Sequence, residues 1–163
     1  MILTGPQIAL ERAAGRLEID PFDPAQLGPH SYDYRLGDLI RWQSAPGIWQ
    51  EQTIPETGIV LLPGRHYLGS TVERMGSTHY VPSLIGRSTL GRLGMFLQAA
   101  ADLGNLGAIH CWTLEISVVQ PLRMYAGVRV GQVSFWAVKG RRRQYDGRYD
   151  QFSVPTTSLE EEP

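Results

Sequence analysis

The chain has 163 residues, enough for one domain with one hydrophobic core. Fifteen lysines and arginines nearly balance 16 aspartates and glutamates, and a net charge of −1 argues against a protein that binds duplex nucleic acid through a basic face. A single cysteine rules out an intrachain disulfide, and there is neither a signal-peptide pattern nor an apolar run of about 18 residues, so the sequence predicts a cytoplasmic protein with no membrane partner.

The first segment with helical signals is TGPQIALERAAG, which begins at residue 4. Thr4 is a typical N-cap, and Gly15 can end the helix. The apolar residues predicted to face inward are Ile8, Leu10 and Ala14. The stretch PFDPAQLGPHSYDYRLGD is rich in proline, aspartate and glycine, which predicts turns leading into a strand over 31–36. We expect Asp33 in this strand to bond nearby turn amides.

The rest of the chain has the pattern of an antiparallel β protein. Glycine and proline separate short segments rich in β-branched and aromatic residues, namely GIVLLPG, HYLGSTVERM, THYVPSLIG, CWTLEISVV and VRVGQVSFWAV. The sequence therefore predicts a mainly β fold, a distorted barrel or sandwich with a short N-terminal helix and one short helical turn. We expect one domain over residues 1–155, followed by an acidic, mobile tail over 156–163.

The stretch GRSTLGRLG, residues 86–94, combines two arginines and two hydroxyls with three glycines. Ser88 is a good N-cap, and in a helical turn Ser88 and Arg92 share a face. Guanidinium groups pair with phosphate oxygens in bidentate geometry, and the N–H groups at a helix start favour anions. The segment is either a phosphate-binding cradle or a capped surface turn with solvated arginines, and the pattern alone leaves both open.

The stretch CWTLEISVV, residues 111–119, has the alternation of a strand. One face carries the apolar side chains Trp112, Leu114, Ile116 and Val118; the other carries Thr113, Glu115 and Ser117. A lone carboxylate among such neighbours suits proton transfer. The alternative is that Glu115 points to solvent from an edge strand, which the strand pattern alone favours.

Several stretches, in this order, resemble motifs of the dCTP deaminase family, relatives of the trimeric dUTPases. MILTGPQI is similar to the family's opening helix, and PFDPAQLGPHSYDYRLGD to its early motif with S-Y-D-x-R-L-G. LLPGRHYLGSTVE resembles its L-x-P-G-x-x-x-L-x-x-T-x-E segment, and GRSTLGRLG its nucleotide motif G-R-S-S-L-A-R-L-G. TLEI resembles the strand with the catalytic glutamate, and MYAGVRVGQVSFW the pattern G-x-x-I-G-Q-L-x-F. The resemblance implies a dUTPase-like β fold and a homotrimer with nucleotide sites between subunits.

The resemblance also implies a reaction, the hydrolytic deamination of dCTP to dUTP and ammonia without zinc, with Mg²⁺ carried by the triphosphate. Glu115 would be the general base and acid, while Ser88 and Arg92 would hold the attacking water and the tetrahedral intermediate. The residues implied to bind the nucleotide are Arg87, Ser88, Thr89, Leu90, Gly91, Arg92, Asn105, Thr113, Leu114, Glu115, Tyr145, Arg148 and Gln151. Tyr145, Arg148 and Gln151 belong to the stretch YDGRYDQ, which resembles the family segment that closes over the triphosphate.

One stretch departs from the family's pattern I-D-x-G-x-x-G. Here GNLGAIH places Asn105 where an aspartate usually stands and His110 where a glycine usually stands. Asparagine can hydrogen-bond a sugar hydroxyl but cannot act as a base, so the sequence predicts deamination and argues against diphosphate cleavage. Two other functions stay open, a dUTPase-like diphosphatase and a trimeric nucleotide-binding protein that has lost catalysis. The retained Glu115, Ser88 and Arg92 favour the deaminase.

Overall fold

Strands dominate the fold in the computed structural model, which describes residues 1–98, 100–147 and 153–159. The helical segments are α1 (Gly5–Ala13), a 3-10 turn (Pro24–Gln26) and α2 (Ser88–Arg92). The strands are β1 (Glu18–Asp20), β2 (Tyr32–Arg35), β3 (Leu39–Ala45), β4 (Ile48–Thr53), β5 (Ile59–Leu61), β6 (His66–Gly76), β7 (Tyr80–Gly86), β8 (Met95–Leu97), β9 (Ile109–Val118), β10 (Leu122–Met124) and β11 (Arg129–Ala137). The predicted mainly β fold is therefore confirmed. No helix in the described ranges is long and apolar enough to cross a bilayer.

The largest sheet has the strand order β4-β3-β6-β9-β8, and β1 adds to β6. A second sheet has the order β2-β11-β7, and β5 pairs with β10. These strand pairs are all antiparallel, as the turn-punctuated sequence predicts. Apolar side chains from these sheets form one buried cluster that includes Tyr34, Ile40, Leu84, Leu114 and Phe135. Strand β9 lies between β6 and β8, so the interpretation that Glu115 sits on an edge strand is wrong.

The hairpin of β3 and β4 was missed by the sequence analysis. Its side chains are largely exposed, and β4 has no buried residue. Since neither strand covers much of the core, the segment RWQSAPGIWQEQ shows little of the apolar alternation that marks a half-buried strand. The hairpin matters here because it supplies one wall of the cavity described below.

Helix α1 begins as predicted but turns a different face inward. The Thr4 hydroxyl accepts a hydrogen bond from the Gln7 N–H at 3.4 Å, and Gly15 follows the helix with φ +70°. Ile8 is buried, whereas Leu10 is 61% exposed and Ala14 is also exposed. The inward-facing residues are Gly5, Ile8 and Glu11, spaced three apart along one face of the helix. The prediction for Leu10 and Ala14 is therefore wrong.

Glu11 is a buried carboxylate with strong partners. Its oxygens accept hydrogen bonds from the Arg16 guanidinium at 2.5 and 3.0 Å and from the Gln7 amide at 2.8 Å. The hydrogen bond with Arg16 is the main reason that the pKa of Glu11 falls from 4.5 to about 2. A carboxylate whose pKa is lower in the folded state stabilises the fold above its unfolded pKa and loses that effect as the pH falls.

The free energy of unfolding is therefore expected to decrease between pH 5 and pH 2 in a way that depends on Glu11. Urea unfolding at several pH values in this window would measure it. In Glu11→Gln the side chain does not titrate, so the curve of stability against pH should be flatter than that of the wild type. Two parallel curves would contradict the role given to the Arg16 pair.

Candidate active site

A cavity of about 890 Å³ opens on the large sheet. Its walls come from the β3–β4 hairpin, the start of β6, residue 98, the segment 101–108, strand β9 and residues 156–158. The site residues that it brings together are Asn105, Thr113, Glu115 and Tyr145. A cavity of this size is typical of small-molecule sites.

Glu115 reaches the cavity from the interior of the sheet. It lies opposite Leu68 of β6, which lines the same cavity, and its side chain is half-buried. Its backbone N–H donates to the Gln98 side-chain oxygen at 2.7 Å, and its carbonyl accepts from the Gln98 N–H at 3.2 Å. Because Gln98 holds both the N–H and the carbonyl of Glu115, the backbone that carries this carboxylate is fixed. A carboxylate positioned in this way can exchange protons with a bound ligand.

The pairing of β6 with β9 is irregular beside Glu115. Ser70 pairs with Thr113 and Arg74 with Cys111, so four residue steps on β6 match two steps on β9. The Thr71 hydroxyl fills the gap by accepting the Trp112 N–H at 2.9 Å. As a result both Trp112 and Thr113 line the cavity, although strict alternation predicts Trp112 on the core face.

Trp112 is held against His110 in the cavity wall. The two ring centroids are 4.3 Å apart, and the Trp112 indole N–H donates to the Met75 carbonyl at 2.9 Å. His110 is only 8% exposed. The departure from glycine at this position therefore adds an aromatic group to the same cavity that contains Glu115.

Cys111, next to His110, belongs to a different environment. Its thiol donates to the Val72 carbonyl at 3.9 Å, while the His110 Nδ1 lies 3.0 Å from the Cys111 carbonyl oxygen. Burial raises the pKa of the Cys111 thiol, which keeps it protonated at neutral pH. These features do not suit a thiolate nucleophile.

The GRSTLGRLG motif forms helix α2 but is capped differently from the prediction. The N-cap is Arg87, with φ −83° and ψ 139°, and it makes no side-chain capping bond. Ser88 is already the first helical residue, because the Arg87 carbonyl accepts the first hydrogen bonds of the turn, from Leu90 and Gly91, at 3.0 Å each. The prediction of Ser88 as N-cap is therefore wrong by one residue. The side chains of Ser88 and Arg92 are exposed.

Asp33 fixes the arginine at the start of this motif. Its Oδ2 lies 3.5 Å from the Arg87 guanidinium and 3.9 Å from that of Arg129. These ion pairs join β2, β11 and the end of β7, and they replace the turn-amide bonds that the sequence predicted for Asp33. Arg87 is thus a paired side chain, whereas the surface-turn interpretation expected it to be solvated.

The motif and the cavity lie apart in the single chain. Residues 87–92 are all described, and none of them is among the residues that line the cavity. Leu114 is buried in the core and is also outside the lining. The predicted binding residues Arg148 and Gln151 lie outside the described residues.

Residues near the C-terminus cover part of the cavity. The Thr156 N–H donates to the Thr113 hydroxyl at 3.1 Å, and the Arg41 guanidinium donates to the Pro155 carbonyl at 2.7 Å. Residues 156–158 then line the cavity. The domain boundary at residue 155 stays a prediction, but the residue that follows it is hydrogen-bonded to the strand of Glu115.

Sequence reasoning missed two cavity residues with distinctive chemistry. Gln98 is a buried amide at the end of the apolar run MFLQ, and Trp49 comes from the unrecognised hairpin. A glutamine that interrupts an apolar strand was the signal available for the first. For Trp49 the sequence offers no signal, since its place depends on how the hairpin folds over the sheet.

A model of the dCTP deaminase-like family matches residues 2–138. The chain belongs to the dCTP deaminase-like family. This member is 41% identical over 157 residues to a dUMP-forming dCTP deaminase of Leptospira biflexa, and the match covers 91% of the chain and 90% of that protein. A dUMP-forming dCTP deaminase of Hathewaya histolytica is 38% identical, with 98% and 96% covered, and a dCTP deaminase of Rhodopirellula baltica is 40% identical, with 86% and 74% covered.

The fold of this family member has a counterpart among solved structures. The crystal structure of 2′-deoxycytidine 5′-triphosphate deaminase from Agrobacterium tumefaciens superposes with a TM-score of 0.68 at 26% identity. The match covers 82% of the chain and 47% of the Agrobacterium protein, so the chain spans about half the length of that relative. The dUTPase-like β fold implied by the sequence motifs is consistent with this likeness.

Proposed function

We propose that the chain catalyses the hydrolytic deamination of dCTP, with Glu115 as general base and acid. The observation that carries the proposal is the position of Glu115, which lines a cavity of about 890 Å³. The backbone of Glu115 is held there by a hydrogen bond to the Gln98 side chain. Membership of the dCTP deaminase-like family and the names of the relatives support dCTP as the substrate.

The proposed chemistry needs one group that both accepts and returns a proton. Glu115 takes a proton from water as the water oxygen forms a bond to C4 of cytosine, giving a tetrahedral intermediate. Glu115 gives this proton to the ring nitrogen N3. It then takes the second proton from the new hydroxyl on C4 and gives it to the amino group, so that the C4–N4 bond breaks, the C4=O bond forms and ammonia leaves. One such carboxylate contributes about 10²–10⁴ in rate.

We further propose that the chain is a homotrimer in which the motif of one subunit completes the cavity of another. Residues 87–92 do not reach the cavity of their own chain, yet Ser88 and Arg92 are exposed on α2. Large apolar side chains are also exposed around the motif, namely Ile85, Leu93 and Phe96. Arg92 and Ser88 would then stabilise the tetrahedral intermediate, and Arg87 would bind the phosphates of a nucleotide that brings its own Mg²⁺.

The product is a separate question, and here the expectation from Asn105 needs correction. The family resemblance implied dUTP as the product, and Asn105 argued against diphosphate cleavage because asparagine is not a base. The Leptospira and Hathewaya relatives are both named for forming dUMP, which favours a second reaction, the hydrolysis that releases diphosphate from the deaminated nucleotide. We therefore propose dUMP as the final product.

Incubation of the purified protein with Mg²⁺ and dCTP, dUTP, CTP or dCMP tests the proposed deamination and the proposed product. Anion exchange would separate the products, and an ammonia assay would follow deamination. Ammonia and dUMP from dCTP are the expected result. Ammonia with dUTP would overturn the proposed product and leave deamination standing, and conversion of dUTP without any action on dCTP would identify a diphosphatase. Binding of dCTP with no turnover would contradict an enzymatic function.

A further inference from the structure

We propose that Gln98 is a positioning residue that holds the strand of Glu115 in its reactive place, an inference that rests on the proposed deamination. The first reason is its backbone. Gln98 has φ +50°, and no other non-glycine residue in the described ranges has a positive φ. Side chains with a Cβ seldom adopt this conformation, and glutamine is not among the residue types that favour it. A residue kept there beside a reactive carboxylate points to a functional constraint.

The second reason is the place where Gln98 ends the β8–β9 ladder. The pairs Met95–Val118, Phe96–Ser117 and Leu97–Ile116 are regular. At the next position Gln98 hydrogen-bonds both main-chain polar groups of Glu115. Its side-chain oxygen accepts the Glu115 N–H at 2.7 Å, and its own N–H donates to the Glu115 carbonyl at 3.2 Å. Gln98 thus makes the two hydrogen bonds that a further backbone pair of the β8–β9 ladder would make, one of them through its side chain.

The third reason is the other end of the same amide. The Gln98 Nε2 donates to the Ala101 carbonyl at 3.3 Å, and Ala101 lines the cavity together with Gln98 and Glu115. Gln98 is only 8% exposed, so water does not compete freely for these bonds. The Gln98 amide supplies both an acceptor to Glu115 and a donor to Ala101, whereas a carboxylate lacks the donor and an apolar side chain lacks both. The geometry ties the carboxylate-bearing strand to the adjoining cavity wall.

Two variants separate the amide from the backbone conformation. Gln98→Met keeps the length of the side chain and removes its hydrogen bonds, and Gln98→Gly also removes them but relieves the positive φ. Both are expected to lower kcat for dCTP by about 10- to 100-fold, with KM changed less than about threefold, because the displaced carboxylate weakens the chemical step more than binding. Gln50→Met is the matched control, since Gln50 is an exposed glutamine on β4 whose amide bonds the Ser44 hydroxyl.

Wild-type activity in Gln98→Gly would mean that the amide is dispensable, which overturns the proposal, and so would a change in KM with kcat unchanged. Hydrogen exchange at the Glu115 amide gives a second readout that needs no turnover. Exchange is expected to be faster in both variants than in the wild type and in Gln50→Met; equal protection in all four proteins would refute the contact. If the wild type does not act on dCTP, the proposed function fails, and amide exchange still tests the role of Gln98.

Discussion

Replacing Glu115 by glutamine is expected to lower the rate of ammonia release from dCTP by about 10²–10⁴. Glutamine has nearly the same size and shape, so the cavity and the backbone contacts with Gln98 should persist. An amide, however, cannot accept a proton from water at neutral pH. The loss should therefore fall on kcat, and KM for dCTP should change little.

Glu56→Gln is a suitable control for this experiment. Glu56 is an exposed carboxylate in the turn between β4 and β5, outside the cavity lining, so its replacement removes the same charge without touching the proposed site. We expect the control to keep the wild-type rate. Substantial deamination by Glu115→Gln would show that another group moves the proton.

Mixed oligomers of two inactive variants are expected to recover activity. Arg92→Ala should lose about 10²–10³ in kcat if Arg92 stabilises the developing charge of the tetrahedral intermediate. In an oligomer of Arg92→Ala and Glu115→Gln subunits, a shared site is intact where the first variant supplies Glu115 and the second supplies Arg92. Random mixing in equal amounts leaves about one quarter of such shared sites intact.

Co-expression of the two variants with different affinity tags, followed by purification through both tags, would isolate the mixed species. The control pairs Glu115→Gln with the double variant Glu115→Gln/Arg92→Ala, which leaves no complete site in any arrangement. If each chain built its whole site alone, the mixed species would be as inactive as its parents. That result would refute the proposed arrangement of the motif and the cavity.

The fold was predictable where the sequence reports burial directly. The strands that carry Tyr34, Leu84, Leu114 and Phe135 are rich in β-branched and aromatic residues, and these four side chains pack into the core. The cap at Thr4 was predictable because it is a local contact, a hydrogen bond from the Gln7 N–H to a hydroxyl three residues earlier. The β3–β4 hairpin was not predictable in this way, because most of its side chains remain exposed.

The candidate site was only partly predictable, because its geometry depends on contacts between distant segments. Motif resemblance singled out Glu115 and the arginines, but it could not place them relative to one another within the fold. The pairing of Asp33 with Arg87 spans 54 positions of sequence and has no local signature. Trp112 reaches the cavity because of an irregular strand pairing on β6, and side-chain alternation on β9 gives no sign of it.

The sharing of the Asp33 carboxylate between Arg87 and Arg129 also has a consequence for the electric field around the motif. One negative group opposite two positive groups leaves a local excess of one positive charge, while the guanidinium of Arg87 stays oriented. At physiological ionic strength, charges beyond about 8 Å are largely screened, so an approaching anion responds to this local excess more than to the chain's net charge of −1. A nearly neutral protein can in this way attract a small polyanion at one place, although its surface as a whole lacks the excess of positive charge that attracts nucleic acids.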